Sequence, residues 1–146
     1  MIENPKNIKL IVIQRPQTLF LVLTVILNLA VFFTPIYSHA VNDPVAWFGM
    51  GMALSLTLPM LIAAVSILLY KNRSNQLKWV KIATYMQIVA LGFALGVLFS
   101  LGGFGKFLWK EVVSSGIIIL SLASLWQAGR LIKKDEELVK SMDRIR

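Results

Sequence analysis

Few side chains in this sequence could do chemistry, and they do not form a catalytic set. His39, the only histidine, is followed four positions later by Asp43. Structural zinc sites usually take four ligands, so one imidazole with one carboxylate indicates a solvated loop rather than a metal site. The chain contains no cysteine, which excludes disulfides, thiol redox centres and zinc–thiolate sites. We therefore expect no metal, no cofactor and no enzymatic activity.

Asn28 and Gln87 are amides inside long apolar stretches. From the helical rise, Asn28 lies about 18 Å from the start of its stretch, level with Thr57 and Ser115. Gln87 lies about 9 Å along its own stretch, level with Ser121. A polar side chain in a membrane helix commonly hydrogen-bonds a neighbouring helix, so we predict that Asn28 bonds Thr57 or Ser115. The alternative interpretation is a polar pathway or a ligand pocket.

No acidic, basic or histidine side chain lies deep within these apolar stretches. Proton-coupled transporters, pumps and voltage sensors use such residues despite their cost in a bilayer. Haem-binding bundles need axial ligands such as histidine inside the membrane. The apolar stretches of this sequence therefore lack the residue types on which the chemistry of these protein classes depends.

The composition of the sequence is typical of an integral membrane protein. Of 146 residues, 57% are hydrophobic and 15% are charged, whereas soluble domains carry about 25% charged residues. Because a membrane helix needs about 20 apolar residues, four stretches qualify. We predict an all-α membrane protein with one domain, 1–146, in which four transmembrane helices form two hairpins. The predicted spans are 17–37, 50–70, 82–101 and 107–127, followed by a tail at 128–146.

The first stretch has a rival interpretation as a cleaved signal peptide, because residues 38–40 resemble a small-x-small processing site. Its apolar core exceeds the ~7–15 residues of a signal-peptide core. We therefore favour a retained span.

Proline and glycine predict how the helices pack. Pro59 removes a backbone N–H near the middle of the second span and should bend that helix. The hydroxyls of Ser55 and Thr57 are placed to satisfy the freed carbonyl. Gly92 and Gly96 form a small-xxx-small pair in the third span. This pair indicates either a dimerisation face or close packing within the chain, and we favour packing within the chain.

Basic residues predict the orientation, because positive side chains stay on the cytoplasmic side of a membrane. Of the 15 lysines and arginines, all except Lys106 and Lys110 lie in the leader before the first span, the hinge 71–81 or the tail. Both termini are therefore predicted to be cytoplasmic. The anionic inner leaflet accounts for the net charge without nucleic-acid binding. The residues expected to meet lipid headgroups or a cytoplasmic partner are Arg15, Lys71, Arg73, Lys78, Lys81, Lys133, Lys134, Lys140, Arg144 and Arg146.

The tail 128–146 has the pattern of an amphipathic cytoplasmic helix. Its apolar residues recur at helical spacing, and oppositely charged pairs four positions apart line the other faces. Such a helix lies on the lipid surface or docks a cytoplasmic protein, and the two roles are compatible. The apolar stripe consists of Leu131, Leu138, Met142 and Ile145.

Two segments carry a resemblance to a known family. They are residues 13–21, IQRPQTLFL, and residues 132–146, IKKDEELVKSMDRIR. Both resemble the bacterial family called domain of unknown function 4293, which is typical of Bacteroidota. The resemblance implies a four-span protein of the bacterial inner membrane. It implies no catalytic residues, because the family carries no established activity.

Three functions remain as hypotheses. The first is an accessory or structural subunit of a larger inner-membrane assembly, docking through its basic cytoplasmic face. The second is a small transporter or channel with a polar path near Asn28 and Gln87. The third, a membrane enzyme, is disfavoured because the sequence offers no nucleophile–base pair and no metal cluster.

Overall fold

Every regular element in residues 15–102 and 108–145, which this computed structural model describes, is an α-helix. The all-α prediction is therefore confirmed for these residues. The helices are α1 (Pro16–Val31), α2 (Pro35–Val41), α3 (Ala46–Leu68), α4 (Arg73–Ser100) and α5 (Trp109–Asp143).

Three of these helices, α3, α4 and α5, are long and apolar enough to cross a membrane. The pair α1 and α2 passes the same test together and would make a fourth span if it crosses as one bent unit. Large apolar side chains such as Leu61, Ile88 and Leu120 are at least half exposed on the outside of the bundle. A surface of this kind fits lipid better than water, which indicates a multi-pass membrane protein.

The first helix is not the straight span that we predicted at 17–37. It ends at Val31, and the chain resumes as α2 with a bend of 58°. Pro35 causes the restart because it has no N–H to continue the ladder. The residue before it, Thr34, is accordingly extended, with φ −97° and ψ 156°. With 16 residues, α1 is about 24 Å long, shorter than the ~30 Å hydrocarbon core.

The hinge is more helical than expected, and the tail is helical as predicted. Helix α4 begins at Arg73 rather than at 82, and the side chain of Asn72 caps it by accepting from the N–H of Asn75 at 3.3 Å. Helix α5 continues without a break to Asp143, so the predicted helix of the tail is a direct extension of the last long helix. Good helix formers and an ion pair from Lys140 to Glu136 at 2.9 Å support this extension.

The long helices form a four-membered ring in which α1 and α4 each pack against both α3 and α5. Helices α1 and α4 therefore face each other across the bundle. Helix α2 packs against α3, α4 and α5 with Ile36 and Ala40 buried, and so closes one end. The other end, which we call the basic end, holds Arg15, the α3–α4 loop and the α5 extension.

Helix α3 runs through Pro59 without interruption. The hydroxyls of Ser55 and Thr57 donate to the carbonyls of Met52 and Ala53, at 2.9 and 2.7 Å. They therefore do not take the role at the carbonyl of Ser55 that we predicted for them. A bend at Pro59 stays a prediction.

The glycine pair of α4 is divided between two environments. A Cβ on Gly96 would lie 3.1 Å from the ring of Phe48, so this glycine serves packing within the chain. A Cβ on Gly92 would meet nothing within 4 Å. Close packing within the chain therefore involves Gly96 and not Gly92.

Substitution of Gly49 tests the packing of α2 on α3. A Cβ at Gly49 would lie 2.9 Å from the carbonyl oxygen of Ala40 and 2.9 Å from the Cα of Val41, both backbone atoms that cannot rotate away. We expect Gly49→Ala to lower the free energy of unfolding by about 1–3 kcal/mol. Tryptophan fluorescence during denaturation in detergent measures the change.

Gly92→Ala is the matched control, because the same methyl group enters open space. It should leave stability unchanged or raise it by up to about 1 kcal/mol, because alanine favours the helix over glycine. Equal effects of the two substitutions would contradict the close approach of α2 to α3.

Candidate functional site

A pair of amides crosses the interior of the bundle. The Nδ2 of Asn28 on α1 donates to the Oε1 of Gln87 on α4 at 3.0 Å, and the Nε2 of Gln87 donates to the Oδ1 of Asn28 at 2.9 Å. Both side chains are fully buried. Each amide thereby satisfies one donor and one acceptor of the other, in surroundings with no water to compete.

The prediction that Asn28 bonds Thr57 or Ser115 is therefore wrong, and the error lies in the start of α4. Measured from Pro16 and from Arg73, where the helices begin, Asn28 and Gln87 lie about 18 Å and about 21 Å along their helices. The two amides are thus nearly level. Counting from 82 left out the first part of α4, so the distance assigned to Gln87 was too short.

The hydroxyls expected to take part in interhelical bonds behave differently. Thr57 donates within α3, and Ser115 donates to the carbonyl of Glu111 in its own helix at 3.1 Å. The Oγ of Ser121 is buried and has no hydrogen-bond partner within the described parts of the chain. Only Asn28 and Gln87 of the predicted polar set form an interhelical side-chain bond there.

A second polar layer, which sequence reasoning missed, lies nearer the basic end. Gln17, Gln76 and Ser66 are all buried, and the Nε2 of Gln76 donates to the carbonyl of Ser66 at 2.8 Å. The Nε2 of Gln17, the Oε1 of Gln76 and the Oγ of Ser66 have no partner in residues 15–102 and 108–145. The signal was present in the sequence, because Gln76 precedes Gln87 by the spacing that separates Gln17 from Asn28.

His39 is not in a solvated loop, contrary to our prediction. It lies in α2, and its Nε2 is 3.2 Å from the Oε1 of Glu111 at the start of α5. Glu111 is only 7% exposed, and His39 is the partly exposed member of the pair. Asp43 instead accepts from the backbone N–H of Val45 at 2.9 Å. The contact between His39 and Glu111 helps hold α2 against the bundle.

A metal centre finds no support in the described residues, where no group of three or more histidine, aspartate or glutamate side chains could hold an ion. The contact between His39 and Glu111 supplies two potential ligands, which is fewer than such a site usually needs. The pair is best understood as a polar link between α2 and α5.

The predicted basic residues gather at one end of the molecule. One groove there is lined by Arg15, Arg73 and Asp135, and a neighbouring one by Lys71, Arg73 and Lys140. Arg130, outside the predicted set, stacks its guanidinium 4.7 Å from the ring centroid of Trp126. The leader 1–14 and Arg146 lie outside the described residues.

A double-mutant cycle tests the amide pair. Asn28→Leu and Gln87→Leu each leave one buried amide unpaired, whereas the double variant removes both. We expect a coupling free energy of about 0.6 kcal/mol, up to ~1.7 kcal/mol, in detergent unfolding measurements. Additive effects of the two substitutions would contradict the pair. Thr57→Val, which removes a hydroxyl bonded within its own helix, should show no coupling to Asn28→Leu.

Comparison with known proteins and protein families identifies the family of this chain. No curated protein and no solved structure matches the chain. The model of the family described as a domain of unknown function, DUF4293, matches residues 13–145. That range includes all five helices, the amide pair and the basic end. The resemblance inferred from residues 13–21 and 132–146 is thus confirmed, and the chain belongs to the DUF4293 family.

Proposed function

We propose that this protein is a non-enzymatic accessory or structural subunit of a larger assembly in the bacterial inner membrane. In this proposal the bent pair of α1 and α2 counts as one of four spans, and both termini are cytoplasmic. The observation that carries it is an uncovered apolar stripe on the α5 extension, beside a groove that Arg15 and Arg73 help to line.

The stripe is defined by how α5 changes along its length. Ile132 is fully buried against the bundle, whereas Leu138, Met142 and Ile145 are 53%, 63% and 86% exposed. Leu138 and Met142, four positions apart on the exposed end of α5, match the anchors that a helix inserts into a partner's groove, and Ile145 follows just after the helix ends. A docking surface for a second protein therefore accounts for an extension that the bundle itself does not cover.

The charges beside the stripe indicate the character of that partner. Arg15 and Arg73, with a single carboxylate from Asp135, line the groove next to Leu138 and Met142. Positive residues at the rim of an apolar patch favour a partner whose own rim is acidic. We infer a membrane-associated protein that receives the α5 extension in an apolar groove with acidic edges.

The amide pair favours a structural interior over a catalytic one. Asn28 and Gln87 direct their donors at each other and not into a pocket. Five other buried polar atoms have no partner among the described residues, on Arg15, Gln17, Ser66, Gln76 and Ser121. They favour the second candidate function, a small transporter or channel with a polar path near Asn28 and Gln87.

Flux measurements discriminate between the two functions. Ion or solute flux into proteoliposomes above that of empty vesicles, altered by Ser121→Val, would favour the transporter or channel. A structural subunit should give no flux above the background. Ser100→Ala, which changes a hydroxyl bonded within its own helix near the opposite end, is the matched control.

Single cysteines test the proposed orientation. Because the chain has no cysteine, Asn42→Cys, Asn75→Cys and Ser141→Cys each introduce one exposed thiol. A membrane-impermeant maleimide should label Asn42→Cys in intact spheroplasts, and should label the other two only after permeabilisation. The reverse pattern would overturn the proposed topology.

Substitution of the stripe tests the docking role. Leu138→Gln/Met142→Gln removes two anchors but keeps helix-forming residues. We expect it to weaken association with the assembly by about tenfold or more. The measurement is the size of the particle that contains this 16.3 kDa chain after mild detergent extraction.

The control for that experiment is Lys134→Gln/Glu137→Gln, which alters two exposed polar residues of the same segment without changing the net charge. It should keep the larger particle. An unsubstituted chain that always runs as a monomer would contradict the subunit proposal.

A further inference from the structure

A groove between α4 and α5 combines an apolar floor with a basic rim. Its volume is about 300 Å³, and Leu77, Val80 and Leu125 contribute to the floor. Tyr85 and Trp126 stand along its sides, both more than half exposed on the surface that faces lipid. The groove is therefore open to the membrane and not enclosed in the bundle.

Three cations line the same groove: Lys81, Arg130 and Lys133. Its lining as described contains no acidic residue. Arg130 is held 4.7 Å above the ring of Trp126 by a cation–π contact, which orients the guanidinium without neutralising it. Lys133 makes an exposed contact of 3.9 Å with Glu137, and an ion pair of this kind contributes little. The rim thus keeps its positive charge for a ligand.

Counted from the basic end toward the membrane interior, charged residues come before apolar ones on both α4 and α5. Helix α4 runs away from the basic end, so Tyr85 lies deeper in the membrane than Lys81. Helix α5 runs toward the basic end, so Leu125 lies deeper than Arg130 and Lys133. Cations therefore face the headgroup layer, and apolar side chains face the hydrocarbon.

We propose that this groove binds one anionic phospholipid. Its phosphate lies between Lys81, Arg130 and Lys133, and an acyl chain lies against Tyr85 and Leu125. A free phosphate would leave the apolar floor uncovered, and a zwitterionic lipid would bring a cation toward three others. Basic pockets between membrane helices bind anionic headgroups for these reasons.

This site is distinct from the general attraction of a basic surface to an anionic leaflet. Lys78 and Lys134 are exposed on the same two helices but do not line the groove. A general attraction would use all four lysines alike, whereas a site depends on Lys81 and Lys133. The comparison of these two pairs makes the proposal testable.

The experiment measures retention of phosphatidylglycerol and phosphatidylcholine by the full chain in detergent, using native mass spectrometry. We expect one phosphatidylglycerol to be retained in preference to phosphatidylcholine. Lys81→Gln/Lys133→Gln should reduce its affinity about tenfold or more. Lys78→Gln/Lys134→Gln, with the same change of charge on the same helices, should leave that affinity within about twofold. Glycerol 3-phosphate at equal concentration should not displace the lipid.

Three results would overturn the proposal: equal losses in the two double variants, equal retention of both lipids, or displacement by glycerol 3-phosphate. Trp126→Leu provides a second test that keeps all charges, and it should weaken retention because Arg130 loses its support. The site does not depend on the docking role. Specific lipid binding by a chain that never joins a larger particle would leave the site standing and overturn only the subunit proposal.

Discussion

The hydrogen-bonded amides of Asn28 and Gln87 set the register of the whole bundle. They join α1 to α4, which face each other across the interior and contact the same two neighbours. Each bond contributes little net free energy in a membrane. Its importance is positional, because a shift of either helix along its axis would leave two amides unpaired in an apolar interior. Apolar packing alone would not distinguish so sharply between neighbouring registers.

Buried residues occur at matching positions on α1 and α4, and again on α3 and α5. Five of the six buried residues of α1 have a buried residue of α4 at the separation of 59 positions that joins Asn28 to Gln87. The matching pairs are Gln17 with Gln76, Leu21 with Val80, Thr24 with Ala83, Asn28 with Gln87 and Val31 with Ala90. A second set relates α3 to α5 at a different separation, 62 positions: Gly49 with Glu111, Met52 with Ser114, Leu56 with Ile118, Pro59 with Ser121, Ala63 with Leu125 and Ser66 with Ala128. The two hairpins therefore bury the same pattern of positions.

Composition and apolar runs were sufficient to predict helices and a membrane location, because lipid demands length and apolarity from every span. They were insufficient for the ends of helices. The charged start of α4 looked like a hinge, since a helix that leaves the membrane no longer needs apolar residues. This one error of boundary displaced Gln87 and hid its partner. The contact between His39 and Glu111 was hidden for a different reason: it depends on the fold of α2 over the bundle, which no local pattern encodes.

The two ends of the described structure differ in how completely their polar groups are paired and their apolar side chains are covered. At the α2 end, Ile36 and Ala40 fill the interior, and His39 contacts Glu111. Toward the basic end, the described residues leave buried donors and acceptors without partners and an apolar stripe uncovered. Unpaired polar groups and exposed apolar surface both raise the free energy of an isolated chain. A lipid or protein that covered this surface would therefore lower that free energy. Within the described residues, the buried side-chain atoms without partners, such as those of Gln17, Ser66 and Gln76, thus lie toward the basic end rather than beside α2.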